Sequence, residues 1–377
     1  MYSIYQHWDP LKVCVVGRSY PPEFYSWIDK PVVRSLFEKI AIETEEDFQN
    51  IIKKLEEFGV KVLRPELPSK TFINDKHFPP PMTPRDYTTM IGNVFYEGYS
   101  LNFSKFYKNV KDSSWPNCNN LQDFVHLPEF IQQECINKHG LTDLINFYSS
   151  YDKIFSHIQH QRNTIISHFY EPELINGAQI SRIGKDLYFG TVDYNQDINK
   201  YQQVINKEFI HTRNHIVNTG GHSDGTYCPV CPGLIISLND IPTYANTFPD
   251  WEIVYLPSQS WSAVEPFLKL KKQNKGKWWI PGFEDNNDVV NVVETWLNHW
   301  TGYVEETVFD VNMLIIDPKN VMVFNYNKQV FDALARYNVT PHIVPFRHRY
   351  FWDGGIHCVT SDLHREGVVQ DYFPQRS

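Results

Sequence analysis

Residues 313–344 read Met-Leu-Ile-Ile-Asp-Pro-Lys-Asn-Val-Met-Val-Phe-Asn-Tyr-Asn-Lys-Gln-Val-Phe-Asp-Ala-Leu-Ala-Arg-Tyr-Asn-Val-Thr-Pro-His-Ile-Val. Met313 to Ile316 and Val321 to Phe324 are short apolar runs split by Asp317-Pro318-Lys319-Asn320, all turn-forming or polar. That pattern is a β-hairpin. Residues 328–337 then read as a helix that stops near Asn338, and His342 to Val344 as a strand. The unit is hairpin, helix, strand.

The same order recurs upstream. Tyr87 to Ile91, the turn Gly92-Asn93 and Val94 to Tyr96 form one hairpin. Ile180 to Ile183, Gly184-Lys185-Asp186 and Leu187 to Phe189 form another, followed by a helix over 197–210 and a strand at His215 to Asn218. Leu234 to Ser237 is a strand with Asn239-Asp240 as its turn, and 287–299 is helical. At the front, Leu11 to Gly17 is a buried strand. Residues 21–40, with Pro21, Pro22 and Pro31, read as an irregular excursion. Thr44 then caps a helix carrying Phe48, Ile51, Ile52, Leu55 and Phe58, stopped by Gly59, and Val60 to Leu63 is a strand. Residues 100–170 read as mixed helix and loop. The units return at intervals of roughly 50 to 95 residues, too irregular for a short solenoid repeat. The class is α/β. A radial arrangement of such modules fits the pattern, and a plain α/β sandwich fits it too. No linker rich in Gly, Ser or Pro divides the chain, so 1–377 reads as a single domain.

Composition narrows the function. A net charge of -9 argues against nucleic acid, which needs clustered Lys and Arg. No run of 18 apolar residues predicts a membrane span. The first ten residues resemble neither a signal peptide nor an Arg-rich transit peptide, so a soluble cytoplasmic protein is expected. The six cysteines show no disulfide-framework spacing, which predicts reduced thiols. Cys228-Pro-Val-Cys231 has the spacing of a metal or redox pair. It lacks a second pair and sits among apolar neighbours, so a buried structural role is expected, with no metal and no disulfide.

Three segments place a reactive or charged group in a loop bracketed by glycine or proline: Pro84-Arg85-Asp86, Gly220-Gly221-His222-Ser223-Asp224-Gly225, and Asp353-Gly354-Gly355-Ile356-His357-Cys358. Loops on rigid scaffolds concentrate functional groups. A carboxylate matches the planar fork of a guanidinium, and two could hold it flat. A cysteine thiolate could then attack the central carbon. His222 could protonate the departing amine and activate the next nucleophile. The bland alternatives are a turn-capping Asp86, a buried Cys358 on a tight turn, and a satisfied loop histidine.

With these segments in view, the chain resembles the amidinotransferase family. The resemblance rests on His7-Trp8-Asp9-Pro10-Leu11-Lys12 with Val15-Val16-Gly17, and on Met82-Thr83-Pro84-Arg85-Asp86 with Ile91-Gly92-Asn93. It continues through Arg182-Ile183-Gly184-Lys185-Asp186, His222-Ser223-Asp224 and Gly354-Gly355-Ile356-His357-Cys358-Val359-Thr360, in family order over nearly the whole chain. It implies a five-bladed pseudo-symmetric α/β propeller with a central active site and no cofactor. Cys358 resembles the amidino-carrying nucleophile, His222 the general acid/base, and Asp86 and Asp224 the guanidinium-binding carboxylates. The implied partners are a guanidino donor and an amine acceptor, and a homodimer is left open.

Two departures bear on activity. Asn176 stands where the family has a catalytic Asp, and an amide cannot stabilise an imidazolium as a carboxylate does. On that ground Asn176→Asp should raise turnover about tenfold or more. Ile241 stands where arginine-using members carry an Arg for a substrate carboxylate, and Glu305-Glu306 fall near their paired serines. Both changes favour donors without an α-carboxylate. A hydrolase on the same fold and an inactive guanidino-binding relative are the alternatives to a transferase.

Overall fold

Four times along the described residues, two antiparallel strands are followed by a helix and a third strand that lies parallel to the second, and a fifth sheet has the same arrangement with one strand supplied by the end of the chain. The computed structural model describes residues 1–73, 76–97, 128, 130, 142–168, 175–256, 278–298, 301, 310–352 and 354–376. Strand β1 (Leu11–Val16) runs into the long helix Pro31–Glu57, and β2 (Lys61–Leu63) returns parallel to β1. After the small ribbon β3 (Phe72–Ile73) and β4 (Lys76–His77), the hairpin β5 (Thr88–Ile91) and β6 (Val94–Glu97) is joined through the helix Thr142–Gln159 to β7 (Ile165–His168). The next three units follow the same plan. They are β8 (Ile180–Ile183), β9 (Asp186–Gly190) and β10 (Arg213–Val217); β11 (Tyr227–Cys231), β12 (Leu234–Ser237) and β13 (Glu252–Tyr255); and β14 (Leu314–Asp317), β15 (Asn320–Val323) and β16 (Thr340–Ile343). The last strand, β17 (Thr360–Arg365), pairs antiparallel with β1 and so completes the first sheet with the end of the chain.

The unit over 313–344 forms where its pattern places it. Asn327 caps the helix Lys328–Arg336 through bonds from Gln329 N and Val330 N, and Val330, Ala333 and Leu334 bury one face against β14 and β15. Asn338 takes φ +56°, the left-handed conformation that ends such helices.

The reading of the first helix needs correction. Helix Pro31–Glu57 begins thirteen residues before Thr44, and a 3-10 turn, Pro22–Trp27, occupies part of the expected irregular excursion. Pro31 sits in the first turn, where its missing N–H has no intrahelical partner to lose. Thr44 is an interior residue that donates to Ile40 O (2.6 Å) and accepts from Trp352 Nε1 (2.7 Å). The Cys228-Pro-Val-Cys231 segment is strand β11, at the edge of its sheet, where Pro229 forfeits little pairing. Cys358 lies two residues before β17. Glu305 and Glu306 lie outside the described residues, as does most of 100–141. Among the described residues no helix is long and apolar enough to cross a membrane.

Candidate functional site

The segment carrying Cys358 is a tight turn that only small residues allow. Gly354 has φ +77°, and a Cβ there would lie 2.7 Å from the Cys358 Sγ. A Cβ on Gly355 would lie 2.6 Å from Asn312 Oδ1. The turn is closed by Val359 N donating to Gly355 O (3.1 Å) and by Thr360 Oγ1 donating to Ile356 O (2.7 Å). Cys358 is 2% exposed.

Asp224 sits in the 3-10 turn Ser223–Gly225 just before β11. Its Oδ2 accepts from His357 Nδ1 (2.7 Å) and from the Cys358 thiol (3.3 Å). Asp86 lies in the one-turn helix Pro84–Tyr87, with Oδ1 3.9 Å from His222 Nδ1. Asp86 Oδ1 and Asp224 Oδ1 are both buried without a hydrogen-bond partner among the described residues. The structure thus brings Cys358 onto Asp224, and His222 next to Asp86, with the two carboxylates close enough to influence each other's titration.

Arg85 fixes the turn from below. Its Nε donates to His357 O (2.9 Å) and Thr360 O (3.1 Å), and its Nη2 to Asp362 Oδ1 (3.0 Å). Burial and the Arg85 charge push His357 down to about 4, so it stands neutral and donates its Nδ1–H. Burial acts to raise Asp224, but the His357 hydrogen bond and nearby positive groups hold it below the usual carboxylate value. Asp86 goes the other way: burial raises it, the Asp224 charge adds to the rise, and His222 only partly opposes them.

Asn176 is placed differently from its expected role beside His222. Its Oδ1 accepts from Gln179 N (3.2 Å), while its own N donates to Gln179 Oε1 (3.1 Å), a reciprocal cap on the turn Gly177–Gln179. That turn packs against both Pro84–Tyr87 and Ser223–Gly225, so Asn176 borders the site while its side chain serves its own backbone. An Asp caps as well as an Asn. Asn176→Asp is therefore expected to leave the fold intact and to change turnover by less than about threefold, about 0.7 kcal/mol. Steady-state rates of the two proteins check this, and a tenfold gain would restore the carboxylate reading.

Two residues of the site escaped sequence reasoning as participants. His357 was quoted only as a neighbour of Cys358, and Asn312, which donates to Cys358 Sγ (3.0 Å), was not singled out. An asparagine ahead of an apolar strand carries no signal of a contact 46 residues away. Cys228 and Cys231 are free thiols on β11, and burial pushes them up to about 12 and about 11. Among the described residues no group of three or more His, Cys, Asp or Glu could hold a metal ion.

No protein-family model matches the chain. Over 152 residues it is 26% identical to the mitochondrial glycine amidinotransferase of Xenopus tropicalis, covering 40% of this chain and 28% of that protein. Over 215 residues it is 22% identical to the L-arginine:L-lysine amidinotransferase of Pseudomonas savastanoi pv. phaseolicola, covering 56% of this chain and 49% of that one. The matches thus span less than half of these curated relatives. Among solved structures it is similar to SxtG, an amidinotransferase from Microseira wollei, with TM-score 0.61 and 16% identity over 99% of both chains. It is also similar to the inosamine-phosphate amidinotransferase StrB1 from Streptomyces griseus (TM-score 0.59, 15% identity, 99% of both chains) and to DDAH from Pseudomonas aeruginosa (TM-score 0.51, 11% identity, 94% of this chain and 100% of that one).

Proposed function

Because the chain is related in sequence to amidinotransferases and shares their fold, we propose that it moves an amidino group from a guanidino donor to an amine acceptor through a covalent intermediate on Cys358. The observation that carries the reading is the pair of buried carboxylate oxygens, Asp86 Oδ1 and Asp224 Oδ1, each without a hydrogen-bond partner among the described residues, with the other oxygen of Asp224 against the Cys358 sulfur. Buried acceptors left open this way are costly unless a ligand fills them. A guanidinium supplies planar N–H donors and the missing charge.

The steps balance as follows. The thiolate attacks the guanidinium carbon, and the bond from that carbon to the donor's chain nitrogen breaks. The amine leaves with a proton from His222. The acceptor amine then gives a proton to His222, attacks the S-bound amidino carbon and expels the thiolate. Five sheets of one topology, the first closed by the last strand, support a five-bladed propeller around this centre. The free thiols support a reducing, cytoplasmic setting.

Ile241 is 7% exposed and packs in an apolar cluster, so it gives a carboxylate nothing to bind. Agmatine-like donors are therefore expected to react as well as arginine or better. The test is intact-mass analysis after incubation with each guanidine, with Cys358→Ser as control. One amidino group added to the wild-type chain alone is the expected result. Release of a urea-type product without an acceptor would point to a hydrolase, as on the fold shared with DDAH. No adduct with any guanidine would remove the transferase reading, and a hundredfold preference for arginine would remove the donor assignment.

A further inference from the structure

We infer that Asn312 is the fixed hydrogen-bond donor that stabilises the Cys358 thiolate, and so a catalytic residue of the site. The inference rests on the reading of Cys358 as the nucleophile. The orientation of the Asn312 amide is set by its four partners. His357 N (2.8 Å) and Cys358 N (3.2 Å) both point at one end, and both are donors only. That end must be the oxygen. The –NH2 then faces two acceptors, Asp224 O (3.2 Å) and Cys358 Sγ (3.0 Å), one hydrogen for each.

The sulfur therefore lies between an acceptor and a donor. In the resting thiol its proton is directed at Asp224 Oδ2 (3.3 Å). When that proton leaves, the Asn312 N–H is already aimed at the charge that forms. A donor held in place in a buried site costs no reorganisation at the moment of reaction. Asn312 is 6% exposed, and the bare Cα of Gly355 is what lets its oxygen reach the turn. The same amide ties the nucleophile's turn to the backbone of Asp224. It thereby sets the sulfur and a carboxylate of the proposed guanidinium clamp at one fixed spacing.

A purely structural role, holding the turn through Oδ1, is separable by pH. The rate of Cys358 alkylation by iodoacetamide, followed by peptide mass, is to be compared at pH 7 and pH 10 in wild type, Asn312→Ala and Asn312→Asp, with a thermal melt of each. The expected result is a fall of about tenfold at pH 7 in Asn312→Ala and a larger fall in Asn312→Asp, whose added carboxylate opposes the thiolate, with the loss relative to wild type several-fold smaller at pH 10 in both. An unchanged rate at pH 7 overturns the inference. So does an equal loss at both pH values, which would mean altered access. Asn312→Asp keeps the oxygen that the two backbone N–H groups need, so it decides the matter if Asn312→Ala does not fold. The assay uses no guanidine. Failure of the amidino-transfer reading would appear as absence of a guanidine adduct on the wild type, and failure of this inference as unaltered thiol reactivity.

Discussion

Asp224→Asn is expected to lower kcat/KM for the guanidino donor by about 10³, about 4 kcal/mol, while moving the melting temperature little. One oxygen of Asp224 faces the thiol and His357, and the other is buried without a hydrogen-bond partner among the described residues. The variant keeps the shape and loses the charge. An amide would turn donors toward a cationic substrate or toward the thiol. Removing one partner of a buried, hydrogen-bonded charge pair costs about 2–5 kcal/mol, and the proposed complex puts a full cation there. The fold has less at stake. His357 is neutral, so an Asn oxygen can still accept its Nδ1–H. Donor kinetics together with a melt check the expectation. A loss of less than tenfold would take Asp224 out of the substrate site, and a collapse of the melt would make its role structural.

The same pair gives a pH signature. Asp86 is raised mainly by burial, with the charge of Asp224 next to it adding to the rise, whereas Asp224 is held low. Near neutrality the site thus carries one firm negative charge and one that protonates more readily. A bound cation favours the ionised form of Asp86, so binding the donor expels any proton it holds. Donor affinity therefore falls as the pH drops through the raised value for Asp86, well before Asp224 begins to titrate.

What could be read from the sequence was whatever is local. Apolar runs split by Gly92-Asn93, Gly184-Lys185-Asp186 or Asp317 to Asn320 can hardly be anything but hairpins, and each formed at its place. Proline misled at the first helix. Pro31 and Pro229 break structure only where an N–H is needed, and a first helical turn and a sheet edge do not need it. Glycine brackets marked the loops that carry His222, Asp224 and Cys358: Gly220 takes φ +65°, and a Cβ on Gly354 would meet the Cys358 sulfur. The partners of those groups were beyond reach. Asn312, His357 and Asn176 acquire their contacts from which turn packs on which, and an asparagine reads the same whether it caps a turn or points at a thiol.

Asp362→Ala carries the largest expected cost to stability, about 5 kcal/mol or more. Asp362 is 1% exposed and accepts from three arginines as buried as itself: Arg85 (3.0 Å), Arg182 (2.7 Å) and Arg365 (2.7 Å). Their positive charges hold its carboxyl well below the usual range against the opposing effect of burial. Because the folded value is depressed, the stabilisation is present above the ordinary carboxylate pKa and is lost only as the pH falls through the depressed one, so it persists at neutral pH. The arginines bind more than Asp362. Arg182 donates to Met90 O (2.7 Å), Arg365 to Ile315 O (2.8 Å) and Asp9 O (2.8 Å), and Arg85 to the turn of Cys358. One carboxylate thus steadies cations that tie together strands of four of the five sheets, next to the turn of Cys358. Removing it leaves three buried guanidinium groups with one counter-charge fewer, and breaking even a single buried pair costs about 3–5 kcal/mol. Whole-domain stability is commonly about 5–15 kcal/mol, so much of the chain should fail to fold at 37 °C. Asp332→Ala, which breaks the exposed Lys328–Asp332 pair, is the control and should leave the denaturant midpoint almost unmoved. Denaturant melts of the two variants decide it. If Asp362→Ala unfolds at the same denaturant concentration as Asp332→Ala, the buried arginines are being neutralised by something other than Asp362, and the cluster is not what holds the sheets around the site.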